Sequence, residues 1–277
     1  MNALQQEYHD ALSLMQGRDI LVIGDMVADI YLDGRISRIS REAPVLVLEQ
    51  AGKKIVAGGR ETVSQQIVRI DKESKEPLHP VIEAELRAYI ESVLPTVEGV
   101  VISDYGSGTV TEGLQTLLID YCRAKGIPSI VDSRYAVRRF SGIGYVKQND
   151  AELAAAVGRE LATTEDIIRA AEELREELHA KGVLVTRGEL GMVLVESGAV
   201  HEIPVSDKSE VFDVSGAGDT CVATVILALA AGAEPALAAR LSNIASGIAV
   251  RKLGTSTVSV RELAEAVEKQ HPEYPSK

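Results

Sequence analysis

Apolar positions along the chain change their period several times, and each change marks an element. Leu4, Tyr8, Leu12 and Met15 recur at helical spacing, which predicts an amphipathic helix over 2–16 closed by Gly17. Ile20–Leu–Val–Ile–Gly24–Asp25 is a short continuous apolar run ending in a polar residue. A buried parallel strand has this form when it delivers a polar group to the carboxyl edge of a sheet. The runs Gly99–Asp104, Pro128–Asp132, Tyr145–Lys147 and Val183–Thr186 repeat it, and helical patterns over Val81–Leu94, Thr111–Lys125, Asp150–Val157 and Thr164–Ala180 separate them. That alternation predicts an α/β fold, a doubly wound and mainly parallel sheet flanked by helices. Residues 29–50 and 63–71 break the alternation. They are β-rich and partly alternating (Ile30–Tyr–Leu, Val45–Leu–Val–Leu, Ile67–Val–Arg–Ile) with no helix between them, which predicts a small antiparallel lid. The last third, over Gly218–Gly232, Pro235–Lys252 and Val260–Gln270, reads as helices.

Composition adds bounds to this picture. A chain of 277 residues, 45% apolar and 25% charged, can bury a large core and is not disordered. Without an interdomain linker or internal repeat, one domain over 1–277 is expected, with the lid inside about 29–71. The formal charge of −12 repels phosphate backbones and anionic lipid, and no basic patch offsets it. Nucleic-acid and membrane partners are therefore not expected, and an anionic substrate must be met by a few placed cations or backbone N–H groups. Two cysteines and five scattered histidines give neither a disulfide framework nor zinc spacing. The first residues lack a basic segment followed by an apolar run, and no run approaches membrane length, so a cytoplasmic location is expected.

The strongest local signal is Asp213–Val–Ser–Gly216–Ala217–Gly218–Asp219–Thr220, followed at once by an apolar helix. A Gly–Ala–Gly turn lets backbone N–H groups approach an anion closely, and the positive end of the helix dipole lies behind it. A carboxylate at Asp219 repels phosphate unless it has a task such as taking the proton of an attacking hydroxyl. Cradle and carboxylate together point to phosphoryl transfer onto an alcohol; the plain alternative is a tight turn in which Asp219 caps the helix. The turn has neither the GxxxxGK[ST] of a P-loop nor the third glycine of a dinucleotide fingerprint.

These residues resemble the C-terminal signature of the ribokinase-like (PfkB-type) carbohydrate kinases. Gly24–Asp25–Met–Val–Ala–Asp29, Asn149–Asp–Ala–Glu152 and Val185–Thr186–Arg–Gly188–Glu–Leu–Gly191 agree with it in the right order. Within that family, Ser37–Arg–Ile–Ser–Arg–Glu–Ala–Pro–Val45, Gln65–Gln–Ile–Val–Arg–Ile–Asp71, Ser103–Asp–Tyr–Gly–Ser–Gly108 and Val131–Asp–Ser–Arg134 look most like D-glycero-D-manno-heptose 7-phosphate kinases. Those resemble the kinase half of the bifunctional ADP-heptose synthesis proteins; no nucleotidyltransferase-like half is expected here.

The resemblance implies transfer from ATP to the sugar's anomeric hydroxyl, with Asp219 as general base and the N–H groups of Gly216, Ala217 and Gly218 facing the transferring group. It implies that Asn149 and Glu152 position Mg²⁺ through water. Their i, i+3 spacing equally fits a capping box. Thr186, Gly188, Gly191 and Asn243 would border the nucleotide, unless the first three are an ordinary strand-to-turn connection. Asp25 and Asp29 would hold sugar hydroxyls, Arg38 and Arg134 the 7-phosphate, and Asp104 would lie near sugar or metal. The alternatives are strand-end turns for the aspartates and surface ion pairs for the arginines. The lid implies a homodimer, because such flaps pair their edges across a two-fold.

Two departures stand out. The family's Gly–Gly–Ala…Asn block, which anchors the sugar, has no match at Gly58–Gly59–Arg60–Glu61–Thr62, so a segment is expected to be absent near Gly52–Lys54, exposing apolar surface on one side of the sheet. Ser107 stands where the heptose kinase-like pattern has lysine. A second reading follows, a weakened nucleotide-binding or assembly module of the same fold.

Overall fold

The computed structural model describes residues 3–26, 28–40, 46–57, 76–206, 214, 216–252 and 256–269, excepting the side chains of 3, 28–32 and 54–57. The elements in chain order are α1 (Ala3–Met15), β1 (Ile20–Gly24), β2 (Ala28–Ile39), β3 (Leu46–Ala57), α2 (Pro80–Val93), β4 (Gly99–Asp104), α3 (Glu112–Lys125) and β5 (Ser129–Ser133). They continue as β6 (Tyr145–Asn149), α4 (Asp150–Val157), α5 (Thr164–Leu178), β7 (Gly182–Thr186), β8 (Met192–Glu196), β9 (Ala199–Ile203), α6 (Ala217–Ala230), α7 (Pro235–Ala249) and α8 (Val260–Lys269).

A seven-stranded sheet runs in the order β1-β4-β5-β6-β7-β8-β9. Its first five strands are parallel and the last two antiparallel. The expected α/β architecture is therefore present, and helices cover both faces. Leu114 and Leu118 of α3, Leu153 of α4 and Ile167 and Leu174 of α5 pack with Val100, Ile102, Val131 and Val146 on one face. On the other, Val222, Val225 and Ile226 of α6 meet Val101, Ile130 and Leu184, while α1, α7 and α8 form an outer layer around Leu12, Leu241 and Leu263. Burial of these apolar side chains on both faces is why the strands read as continuous apolar runs.

Local chemistry sets the helix ends. The Thr111 hydroxyl accepts the Leu114 N–H to start α3, and Gly126 at φ 69 ends it. Helix α5 ends at Leu178 rather than Ala180, because His179 turns left-handed at φ 53, and α7 ends at Ala249. Strands β8 and β9 were not expected; β8 is a five-residue apolar run and β9 a five-residue alternation, joined through Gly198 at φ 75, and both are short enough to be hidden beside the turn that precedes them.

The lid is the antiparallel pair β2–β3. The junction expected near Gly52–Lys54 falls inside β3, which pairs without a loop as Asp33↔Gly52, Leu32↔Lys53 and Tyr31↔Lys54. A hairpin strand needs only a partner and alternation, and the residues on both sides of that point supply them. The 63–71 strand, Gly58–Gly59 and Asp213 lie outside the described residues. Among the described residues β1 is paired only to β4, and Val22 on it is 65% exposed, as expected for a sheet shortened on that side. Among the described residues no helix is long and apolar enough to cross a membrane, and both cysteines are buried and unpaired.

Candidate active site

The carboxyl ends of β5 and β6 meet the N-terminus of α6, where Gly218 lies against Lys147 and Asp132. Gly216, at φ 78, is the N-cap of α6 and needs the left-handed conformation that glycine adopts freely. Among the described residues no side chain caps this helix, and Asp219 in its first turn is exposed, so the capping alternative for Asp219 is not what the structure builds. The turn presents backbone and a carboxylate to the same space.

Under the turn lies a charged pair that the sequence reading missed. Lys147 on β6 and Asp132 on β5 are 2.8 Å apart and both largely buried. Gly218 explains itself here, since a Cβ on it would stand 3.1 Å from the Lys147 Nζ. The ammonium thus abuts the first turn of α6. Burial raises the Asp132 pKa and Lys147 opposes it, while the carboxylates of Glu152 and Asp219 push the same way as burial. Burial pulls Lys147 down, but the Asp132 carboxylate outweighs it, so the ammonium stays charged. The available signal was a lysine inside an otherwise buried strand, which requires a partner.

Asn149 and Glu152 open α4 as a reciprocal capping box. Asn149 Oδ1 accepts the Glu152 N–H at 2.7 Å, and Glu152 Oε2 accepts the Asn149 N–H at 2.8 Å. Each keeps its helix-start task whatever else it does. Among the described residues no three His, Cys, Asp or Glu side chains converge on one point, so a direct protein cage for a metal is not built.

Expected nucleotide residues do come together. Thr186 pairs with Asn149 across β6 and β7. Gly188 at φ 53 and Gly191 at φ 84 frame the turn into β8, and a Cβ on Gly191 would lie 2.1 Å from the Ile203 carbonyl oxygen. Asn243 donates to the Pro204 carbonyl at 2.7 Å, on that same strand exit, and Ser246 on its helix donates to Ala217 O at 3.2 Å. One continuous wall therefore links the Gly188–Gly191 turn to α6.

The expected acceptor residues divide. Asp104 is 2% exposed; its Oδ1 accepts the Gly106 N–H at 3.1 Å and its Oδ2 the Ser133 hydroxyl at 2.7 Å, the strand-end turn alternative. Asp25 likewise spends its carboxylate on backbone N–H groups of the loop after β4. Arg134 is exposed, with its guanidinium carbon 5.4 Å from the Tyr135 ring centre. Arg38 is exposed on the lid opposite Val47, and the side chain of Asp29 lies outside the described ones.

A family model described as pfkB family carbohydrate kinase matches residues 81–262, from α2 through the α6 turn to α8. The chain belongs to the PfkB carbohydrate kinase family. It is 32% identical over 323 aligned residues to bifunctional protein HldE of Mesorhizobium japonicum, covering 95% of this chain and 64% of that protein. To bifunctional protein HldE of Pelobacter propionicus it is 34% identical over 316 residues, covering 93% and 64%. The chain spans about 64% of the length of these curated relatives. Both alignments are longer than the 277 residues of the chain, so these PfkB relatives carry residues with no counterpart here. Among solved structures, phosphofructokinase-2 from Escherichia coli in complex with substrates and products is 28% identical at a TM-score of 0.57, over 68% of this chain and 62% of that one. Arabidopsis thaliana ribokinase complexed with ribose and ATP shares the fold, with a TM-score of 0.66 at 16% identity over 91% and 99%.

Proposed function

We propose that this PfkB kinase transfers a phosphoryl group from ATP to the anomeric hydroxyl of D-glycero-D-manno-heptose 7-phosphate. The observation that carries the reaction type is the uncapped first turn of α6, which brings backbone N–H groups, the exposed Asp219 carboxylate and the buried Lys147 ammonium to one place. Asp219 takes the hydroxyl proton, the N–H groups of Gly216 and Gly218 receive the phosphoryl oxygens together with that of Ala217, once released from its 3.3 Å bond to the Val214 carbonyl, and Lys147 balances their charge. Thr186, Gly188, Gly191 and Asn243 wall the nucleotide. The sugar assignment rests on the sequence blocks resembling heptose 7-phosphate kinases and on the likeness to the HldE proteins. Arg38 and Arg134, both exposed, would meet the 7-phosphate, and Asp29 the sugar hydroxyls, as the resemblance implies.

Magnesium fits this donor set only at arm's length. Asn149 Oδ1 and Glu152 Oε2 are committed to the capping box, so Glu152, with one oxygen outside it, would hold the ion through water, as Mg²⁺ prefers. When bound, Mg²⁺ supplies charge neutralisation at the nucleotide phosphates.

The reading is tested by ADP release with Mg·ATP and a panel of heptose 7-phosphate, fructose 1- and 6-phosphates, ribose and adenosine, with nucleotide binding followed by calorimetry. Turnover on heptose 7-phosphate alone is expected; turnover on another sugar moves the specificity. Nucleotide binding without turnover on any sugar favours the second reading, a weakened nucleotide-binding module. The excess length of the relatives' alignments and Ser107 in place of a lysine are what support that second reading.

The lid supports a homodimer. Ile36 pairs with Leu48 and Ile39 with Leu46 across β2–β3, and all four are exposed, which gives the hairpin an apolar face suited to a second copy. Sedimentation is expected to show a dimer that Ile36→Glu with Leu48→Glu converts to monomer; a monomeric parent overturns it.

A further inference from the structure

Asp25 fits the strand-end turn alternative, with more bonds than such a turn needs. It follows β1 directly, and its N–H extends the β1–β4 ladder by one bond to Ser103 O at 3.0 Å. The strand ends approach closely here, since a Cβ on Gly24 would lie 2.3 Å from the Ser103 carbonyl oxygen. The Asp25 carboxylate thereby reaches over the loop that leaves β4. Its Oδ2 accepts the N–H groups of Tyr105 at 2.8 Å and Ser107 at 2.9 Å, and its Oδ1 accepts that of Thr109 at 3.0 Å. Asp104 Oδ1 takes the intervening Gly106 N–H, and the Asp104 carbonyl takes the Arg134 N–H at 3.0 Å. Two buried carboxylates thus hold four N–H groups of one short loop, far more fastening than a plain strand-to-helix connection requires.

What the loop carries is Tyr105, half-buried at the carboxyl edge of the sheet. Ser103 pairs with Asp132 and Asp132 with Lys147 across β4, β5 and β6, so Tyr105, two residues past Ser103, leaves the sheet at the edge where Gly218 of α6 lies against that charged pair. Its pKa is raised, by burial first and then by the carboxylates of Asp219 and Asp132, with Lys147 and Arg134 opposing. Burial also acts to raise the Asp25 pKa, but the bonds from Ser107, Thr109 and Tyr105 outweigh it, so the carboxylate is held below its ordinary range and stays ionised as an acceptor. A phenol offers an apolar face and a hydroxyl, which suit the C–H face and hydroxyls of a sugar ring.

We propose that Tyr105 is an acceptor-binding residue beside Asp219 and that Asp25 is the positioning residue that holds it there. The proposal rests on the kinase reading above. It makes Asp25 act through the loop rather than through sugar hydroxyls, and a double-mutant cycle separates those roles. In the full chain, Tyr105→Ala and Asp25→Asn are each expected to raise the acceptor KM about tenfold while the ATP KM stays within about twofold. Asp25→Asn with Tyr105→Ala together is expected to be no worse than the poorer single variant. Amide hydrogen exchange at Tyr105, Ser107 and Thr109 is expected to be slow in the parent and fast in Asp25→Asn.

Additive losses would overturn the positioning role and put Asp25 on the acceptor itself. Equal rises in both KM values, or an unchanged acceptor KM in Tyr105→Ala, would remove Tyr105 from the acceptor side. A parent that phosphorylates no sugar sinks the kinase reading and the Tyr105 role with it. The exchange data still decide whether Asp25 holds the loop, since fast exchange in the parent overturns that on its own.

Discussion

Asp219→Asn is expected to lower phosphoryl transfer by about 10²–10⁴-fold, the usual contribution of a positioned general base. The change keeps the shape of the first turn of α6 and removes only the proton acceptor. Asp219 is exposed and, among the described residues, makes no cap bond to that helix, so the fold does not depend on it. The ATP dissociation constant from calorimetry is expected to stay within about threefold, because the cradle is made of backbone N–H groups that the substitution leaves in place. Retention of full turnover would remove Asp219 from the chemistry and reduce the turn to an anion site.

Lys147→Met is expected to have the largest effect on stability. The ammonium and Asp132 Oδ2 are 2.8 Å apart in the interior, and Glu152 and Asp219 add negative charge nearby. Removing the cation strands the Asp132 carboxylate, at a cost of about 3–5 kcal/mol for a broken buried pair. Chemical denaturation would read the loss. Combining Lys147→Met with Asp132→Leu takes away both charges and is expected to recover most of the stability, since the pair's mutual attraction roughly balances its desolvation. Turnover is expected to stay about 10²–10³-fold down in the double variant, because the cation at the phosphoryl site is still missing. A double variant that regains turnover as well as stability would assign the pair to folding alone.

These expectations depend on features of unequal visibility. The parallel strands were legible as continuous apolar runs because burial on both faces demands it, and the α6 turn was legible because a Gly–Ala–Gly run directly before an apolar stretch marks a tight helix start with a left-handed glycine. The β8–β9 hairpin was not read, since five-residue strands beside a glycine turn give little periodic signal. Asn149 and Glu152 were open between two readings at the same spacing, and the structure builds the capping box without removing the other role. Arg38 and Arg134 were chosen by residue type, and they end on separate elements with no shared contact that would mark a phosphate site on its own.

The sequence by itself determined the α/β class, the glycine turn that opens α6 with Asp219 in it, and the family, because each follows from local residue types and their spacing. Only the tertiary structure decided which charges meet. Lys147 finds Asp132 fifteen residues earlier through the register of β5 and β6, and Asp25 reaches a loop eighty residues away because β1 and β4 are neighbours. Strand order comes from the summed packing of both sheet faces, and no local period encodes it. That is why the sequence left Asp25 open between a sugar ligand, implied by the resemblance, and a strand-end turn, and only the structure shows which N–H groups its carboxylate accepts.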